Sequence, residues 1–294
     1  MNRSQKQCLF ARVQTGQQNP ILTKTMLNHK FALLLLSMLL LARPTAVQAQ
    51  LTYTVSDSAV TITGYNGNPG TVVIPGLILG YPVVGIGSNA FVSKDTLTSI
   101  TIPDSVTNIG DAAFFFCSSL TSATLGTNLM HIGYQAFYQC TSLTNLTLPN
   151  SLLSLGNESF SQCASLSSLT IPNGVTTLGD TAFAGCSSLG NAAIGNGVIR
   201  IGSDAFSWCT SLTNVVIGNA VSSIGAQAFM HCISLPGVVI PNTVTNIEYY
   251  AFSDCASLTN VVVGSGVAGL EENAFEYCSS LSGIYFRLVR TICG

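Results

Sequence analysis

The chain has 294 residues, with 47% hydrophobic and only 7% charged side chains. Six of its ten basic residues precede residue 50; the remainder carries four basic and twelve acidic residues, a formal charge of −8. That surface offers no basic track for phosphate, which argues against nucleic acid as a partner. Past residue 50 no apolar run approaches the roughly 18 residues of a membrane-spanning helix.

Residues 31–42 read FALLLLSMLLLA, preceded by Lys24, His29 and Lys30, and Val47-Gln48-Ala49 offers small residues for a signal peptidase. This pattern predicts a signal peptide over 1–49, cleaved after Ala49. A membrane anchor is the alternative, disfavoured because the apolar run is short. Residues before Met26 are polar and patternless, which points to Met26 as the start of translation. The mature chain is therefore expected to be secreted or held at the cell surface, with no membrane span. Residues 50–96 follow as an N-terminal cap. Over 51–63, Tyr53, Val55, Val60 and Ile62 alternate around Ser56-Asp57-Ser58, which predicts a hairpin. A degenerate first coil then carries Val72, Ile74, Pro75, Ile86, Gly87, Ala90 and Phe91, with five extra residues near 76–80 and Lys94 where later coils have Cys.

From residue 97 to 280 the chain repeats every 23 residues, eight times, without a slip. Phe91 is followed at that spacing by Phe114, Phe137, Phe160, Phe183, Phe206, Phe229, Phe252 and Phe275. Three residues after each of the last eight stands Cys: Cys117, Cys140, Cys163, Cys186, Cys209, Cys232, Cys255 and Cys278. A fixed period of this length predicts stacked coils with Phe and Cys in internal ladders. Counting residue 97 as position one, the first full coil is apolar at Leu97, Ile100, Ile102, Val106, Ile109, Ala113, Phe114 and Cys117. Positions four and six alternate with polar neighbours, as in a strand with one buried face. Position seven is Pro or Gly in every full coil and turns the chain. Positions ten and 13 form a second extended piece. The usual Gly at 14 is expected to supply a positive φ. Positions 15–21 suit a helical turn or two, capped by residues such as Asp111 or Asp180.

Residues 281–294 start a ninth coil with Leu281, Ile284 and Phe286, after which the pattern stops. The break in register leads to the expectation of a truncation or frameshift near residue 287.

The motifs Ile100-Thr-Ile102-Pro103, Val106-Thr-Asn-Ile109-Gly110 and Ala113-Phe114-Phe-Phe-Cys117, repeated over about 70–286, closely resemble the BspA-like, treponemal-type leucine-rich repeat family. The fold class is an α/β repeat solenoid, strand-rich. The resemblance implies a right-handed leucine-rich-repeat-like stack with a parallel sheet on its concave side. It also implies adhesion or protein recognition outside the cell, and it brings no catalytic residues. Ser159 (elsewhere Ala) and Glu248 and Glu271 (elsewhere Gly) depart from the pattern.

The ladder cysteines are read as buried reduced thiols, with ladder disulfides as the alternative. No metal or other cofactor is expected, because the mature chain has two His and no CxxC pair. His231 and Cys232 are adjacent in sequence but expected on opposite sides of the coil wall, so no enzyme activity is assigned. The acids are read as solvated caps. Asn145-Leu-Thr147 and Asn157-Glu-Ser159 are glycosylation sequons.

The candidate binding residues lie at position five, which should face solvent between two buried neighbours. There Thr101, Thr124, Thr147 and Thr170 give way to Ala193, Val216, Val239, Val262 and Tyr285. An apolar stripe of that length points to an interface, although β-branched residues also simply suit strands. Aromatic residues at positions 19 and 20 (Phe115, Phe116, Tyr138, Trp208, Tyr277) are a second candidate. The expected function is non-catalytic adhesion or recognition of a protein or other extracellular macromolecule. The alternative is a structural envelope or matrix component that self-associates.

Overall fold

A computed structural model describes residues 50–67 and 70–287. The expected signal peptide and the tail from residue 288 lie outside the described residues. Strand β1 (Leu51–Ser56) pairs antiparallel with β2 (Ala59–Tyr65) through a turn at Asp57 and Ser58, both with positive φ. Two consecutive left-handed residues match the twist of flanking strands, so a two-residue hairpin closes tightly. Strand β3 (Thr71–Val73) opens the first coil, and β2 pairs in parallel with β5 (Tyr81–Ile86), joining the cap to the stack. The extra residues of the first coil form a small hairpin, in which β4 (Leu77–Ile78) pairs antiparallel with the start of β5.

Each later coil adds one short strand to each of two walls. The strands at positions 12–13, from Asn108–Ile109 to Gly269–Leu270, form one continuous sheet that starts at the cap hairpin. The wall at positions three to six is broken. It consists of a four-stranded sheet ending at Asn145–Leu146, a three-stranded sheet from Ser168–Thr170 to Asn214–Val216, and a third from Gly237–Val239 to Gly283–Phe286. Of the two extended pieces expected from the repeat, the second gives the uninterrupted ladder.

The wall from 15 to 21 is not helical, and no helix occurs over the described residues from Leu51 on. Positions 16 and 20 are left-handed in every coil, as at Ala112 and Phe116 or Asp204 and Trp208. Such residues stop a helix after one turn. They also direct alternate amides along the stack. The N–H groups of Ala112, Phe114 and Phe116 donate to the carbonyls of Tyr134, Ala136 and Tyr138 in the next coil. Those of Ala113, Phe115 and Cys117 close three-residue turns onto Gly110, Ala112 and Phe114. A helical segment would bond only to itself; this wall bonds to its neighbours.

The glycines at position 14 do not have positive φ. They are needed for close approach. A Cβ on Gly156 would lie 2.6 Å from the carbonyl carbon of Gly133, and one on Gly179 would lie 2.5 Å from the amide of Asn157. The capping expectation also changes. Asp111, Asn157 and Asp180 accept the N–H of Tyr134, Asp180 and Ser203, each one coil onward. They cap their neighbour rather than their own turn. Ala226 cannot do this for Tyr249. Glu271 instead reaches back to accept the Tyr249 N–H, and Glu248 likewise accepts that of Ala226.

Inside, the Phe rings stack almost parallel, with centroids 4.9–5.6 Å apart from Phe91 to Phe275. All are fully buried except Phe275, in the last coil, which is half-buried. Tyr65 ends the cap by stacking on Phe91 at 5.5 Å. Ser159 stands where every other full coil has Ala. It is fully buried and its Oγ has no hydrogen-bond partner. Burying an unpaired hydroxyl costs about 1–3 kcal/mol. Ser159→Ala is therefore expected to raise stability by about 1–2 kcal/mol in chemical denaturation; a loss of stability would mean that the hydroxyl is satisfied in solution.

Candidate functional site

The position-five residues share the broken wall. Their neighbours at four and six point inward: Val215 and Ile217, or Val238 and Ile240, are buried. Side-chain alternation then pushes position five outward. Val216, Val239 and Tyr285 are 56%, 49% and 57% exposed. Ala193 and Val262 are only half-buried, so the stripe is uneven. Thr124, Thr147 and Thr170 are exposed and Thr101 half-buried. A depression of about 590 Å³ lies over the apolar part, lined among others by Val216, Val239, Pro241, Asn219 and Arg287. Arg287 is its one charged lining residue.

The flank aromatics fall into separate groups. Phe115 stacks on Tyr138 at 5.1 Å, with Phe116 edge-on to both. Four coils further on, Trp208 is half exposed and covers His231 at 3.9 Å between ring centroids. Tyr277 lies further still and is 70% exposed.

His231 Nε2 is 3.8 Å from Asp254 Oδ2. Cys232 faces the other way, fully buried, with its Sγ–H donated to the Phe206 carbonyl at 3.3 Å. Backbone alternation thus separates the only adjacent imidazole and thiol. Every ladder Cys repeats this contact with the Phe carbonyl of the preceding coil, at 3.1–3.4 Å, and all eight are free. Each thiol thereby adds a bond between coils, which sequence periodicity did not indicate. Burial pushes the Cys117, Cys186 and Cys232 thiols up to about 12, and those of Cys140, Cys163 and Cys209 well above the ordinary thiol value.

The acids serve the stack. Asp104 accepts the Thr127 N–H at 2.7 Å, and this bond holds its carboxyl below the usual range. Arg200 is shared between Asp180 and Glu248, at 3.2 and 3.6 Å, on the exposed side of the continuous sheet. Among the described residues no group of three or more His, Cys, Asp or Glu could hold a metal ion. No helix among them is long and apolar enough to cross a membrane.

The profile of the BspA type leucine rich repeat region, in six copies, matches residues 84–213 and 199–293, well over half of the chain. The crystal structure of a leucine rich repeat protein from T. pallidum is similar at a TM-score of 0.62 and 31% identity, covering 66% of this chain and 91% of its own. That of a leucine-rich repeat protein from Bacteroides ovatus gives a TM-score of 0.56 and 26% identity, covering 81% and 75%. No curated protein matches. With the 23-residue coil, the Phe and Cys ladders and the parallel walls all in place, this chain belongs to the BspA-type leucine-rich repeat family.

Proposed function

We propose that this chain is an exported, non-catalytic recognition protein, secreted or held at the cell surface, that binds another protein through the apolar part of its position-five face. The carrying observation is the exposure of Val216, Val239 and Tyr285 on one wall of the stack. Most other large apolar residues of the repeats are used inside. Exposed apolar residues in adjacent coils cost solvation unless a partner covers them. Membership of a leucine-rich repeat family and the leader-like sequence before residue 50 support the same reading. The seating of Cys232 away from His231 favours a binding role over catalysis.

The test is the triple variant Val216→Thr, Val239→Thr, Val262→Thr. Thr is close in shape to Val and equally suited to strands, so the fold should persist. Capture of protein partners from the native environment should fall at least tenfold. Undiminished capture by the variant would remove the stripe from consideration. Self-association, the competing reading, would appear as a solution mass that rises with concentration.

A further inference from the structure

The eight ladder thiols share one seat in the coil but not one environment. Equivalent residues of neighbouring coils lie about one strand spacing apart, roughly 4.8 Å. That separation falls within the roughly 4.4–6.8 Å found between the Cα atoms of bridged cysteines. Spacing alone therefore singles out no pair of the ladder. Exposure distinguishes one end. The seven thiols from Cys117 to Cys255 are fully buried, whereas Cys278, in the last full coil, is 9% exposed. Its neighbours Phe275 and Leu281 are only half-buried as well. Among the described residues, only the strand Gly283–Phe286 continues the stack beyond them.

The same residue has a second distinction. Its thiol shares a side-chain hydrogen bond with the thiol of Cys255. This bond lowers the pKa of Cys278 and raises that of Cys255, which burial raises further. The two directions have one cause: Cys255 keeps its proton and donates it to the ionised sulfur of Cys278. In the interior of the ladder burial instead raises both members of each pair, as at Cys163 and Cys186. The thiolate is the reactive form of cysteine. An accessible thiolate beside a protonated, buried thiol is the arrangement in which one sulfur is oxidised first and its neighbour resolves it.

We propose that Cys255 and Cys278 form a redox modification site, the pair of the ladder that hydroperoxides convert from two thiols to a disulfide. In the first step the Cys278 thiolate attacks one oxygen of hydrogen peroxide. An S–O bond forms, the O–O bond breaks and hydroxide leaves, so the sulfur is oxidised to a sulfenic acid and the peroxide is reduced. In the second step the Cys255 sulfur attacks the sulfenic sulfur. The S–S bond forms, the S–O bond breaks, and the departing hydroxyl takes the Cys255 proton and leaves as water. Peroxide suits the site because it is small and uncharged, and Cys278 is open to solvent only slightly. The bridge ties together the last two full coils, where the half-buried Phe275 leaves the core less covered than in any other full coil. The site lies inside the stack, apart from the valine stripe, and stands without it.

The experiment treats the folded, unsubstituted chain with excess hydrogen peroxide and quenches with catalase. The chain is then unfolded, alkylated and digested, and disulfide-linked peptides are read by mass spectrometry. The Cys255–Cys278 link is expected to be at least about tenfold more abundant than a link between any interior pair, and dithiothreitol should restore both thiols. Cys255→Ser should halt the reaction at the Cys278 sulfenic acid, which dimedone traps. Cys278→Ser should leave Cys255 unoxidised. Circular dichroism before and after treatment establishes that the chain stays folded. The proposal is overturned if Cys255 and Cys278 remain thiols in the treated, folded chain, or if interior pairs such as Cys163 and Cys186 are linked as often. It is equally overturned if Cys278 bridges instead to Cys293, which lies outside the described residues, or to a second chain.

Discussion

Raising the pH above about 9 is expected to unfold this protein cooperatively near pH 10. In the unfolded chain the ladder thiols titrate near 8.5. In the folded chain burial pushes three of them up to about 12 and three others well above the ordinary thiol value. Because the folded pKa is raised, the stabilisation is complete below about pH 8.5 and is lost as pH rises toward the folded value. Each thiol withholds one proton from solvent in the native state, which costs about 1.4 kcal/mol per pH unit in that window. Six thiols give a slope of about 8 kcal/mol per pH unit. A stability of about 5–15 kcal/mol is then exhausted within about two pH units. Circular dichroism and thiolate absorbance followed together against pH provide the check. Both should change at one midpoint. Replacing Cys163, Cys186 and Cys209 with Ala should halve the slope and move the midpoint upward by several tenths of a unit. Thiolate absorbance of several cysteines at pH 9 in a folded chain would refute the assignment; a single thiolate would not, because contact with the Cys255 thiol lowers the pKa of Cys278.

The second large effect concerns the Phe ladder. Phe183 is fully buried between Phe160 at 5.4 Å and Phe206 at 5.6 Å. Truncating such a ring to Ala costs about 3–5 kcal/mol in lost transfer energy and cavity. Two ring contacts, each about 0.5–1.5 kcal/mol, disappear as well. Coils are stabilised chiefly by their neighbours, so a defect at mid-stack weakens two interfaces together. Phe275→Ala supplies the contrast: its ring is half-buried and, among the described residues, stacks on Phe252 alone, at 5.3 Å. Its cost should be less than half that of Phe183→Ala. Denaturant midpoints of the two variants decide the matter. Equal losses would mean that neither burial nor the number of stacked neighbours sets the cost.

Much of the fold was legible because stacking makes every coil equivalent. A residue type held at one position through eight coils must tolerate the same surroundings eight times. Phe at 18 and Cys at 21 therefore had to be inside, and position five had to lie outward between buried neighbours. The departures were informative in the same way: Ser159 stands out only because the other coils use Ala, and its unpaired hydroxyl shows what the substitution costs. The family resemblance in the AFxxC, IxIP and VxxIG motifs rested on the same regularity.

What the sequence by itself determined is the period, the inner and outer faces, the cap hairpin around Asp57-Ser58 and the family. Only the tertiary structure decided how the coils touch. Gly at 14 marks a distance to the coil below rather than a backbone angle. The left-handed positions turned out to be 16 and 20, occupied by Ala, Gln, Phe and Trp, because amides there must point along the stack. Asp111 and Asp180 looked like caps of their own turns but serve the next coil. All these depend on separations between residues 23 apart, and local propensity carries no information about them. Periodicity says which residues are equivalent; the spacing between equivalent residues is set by packing.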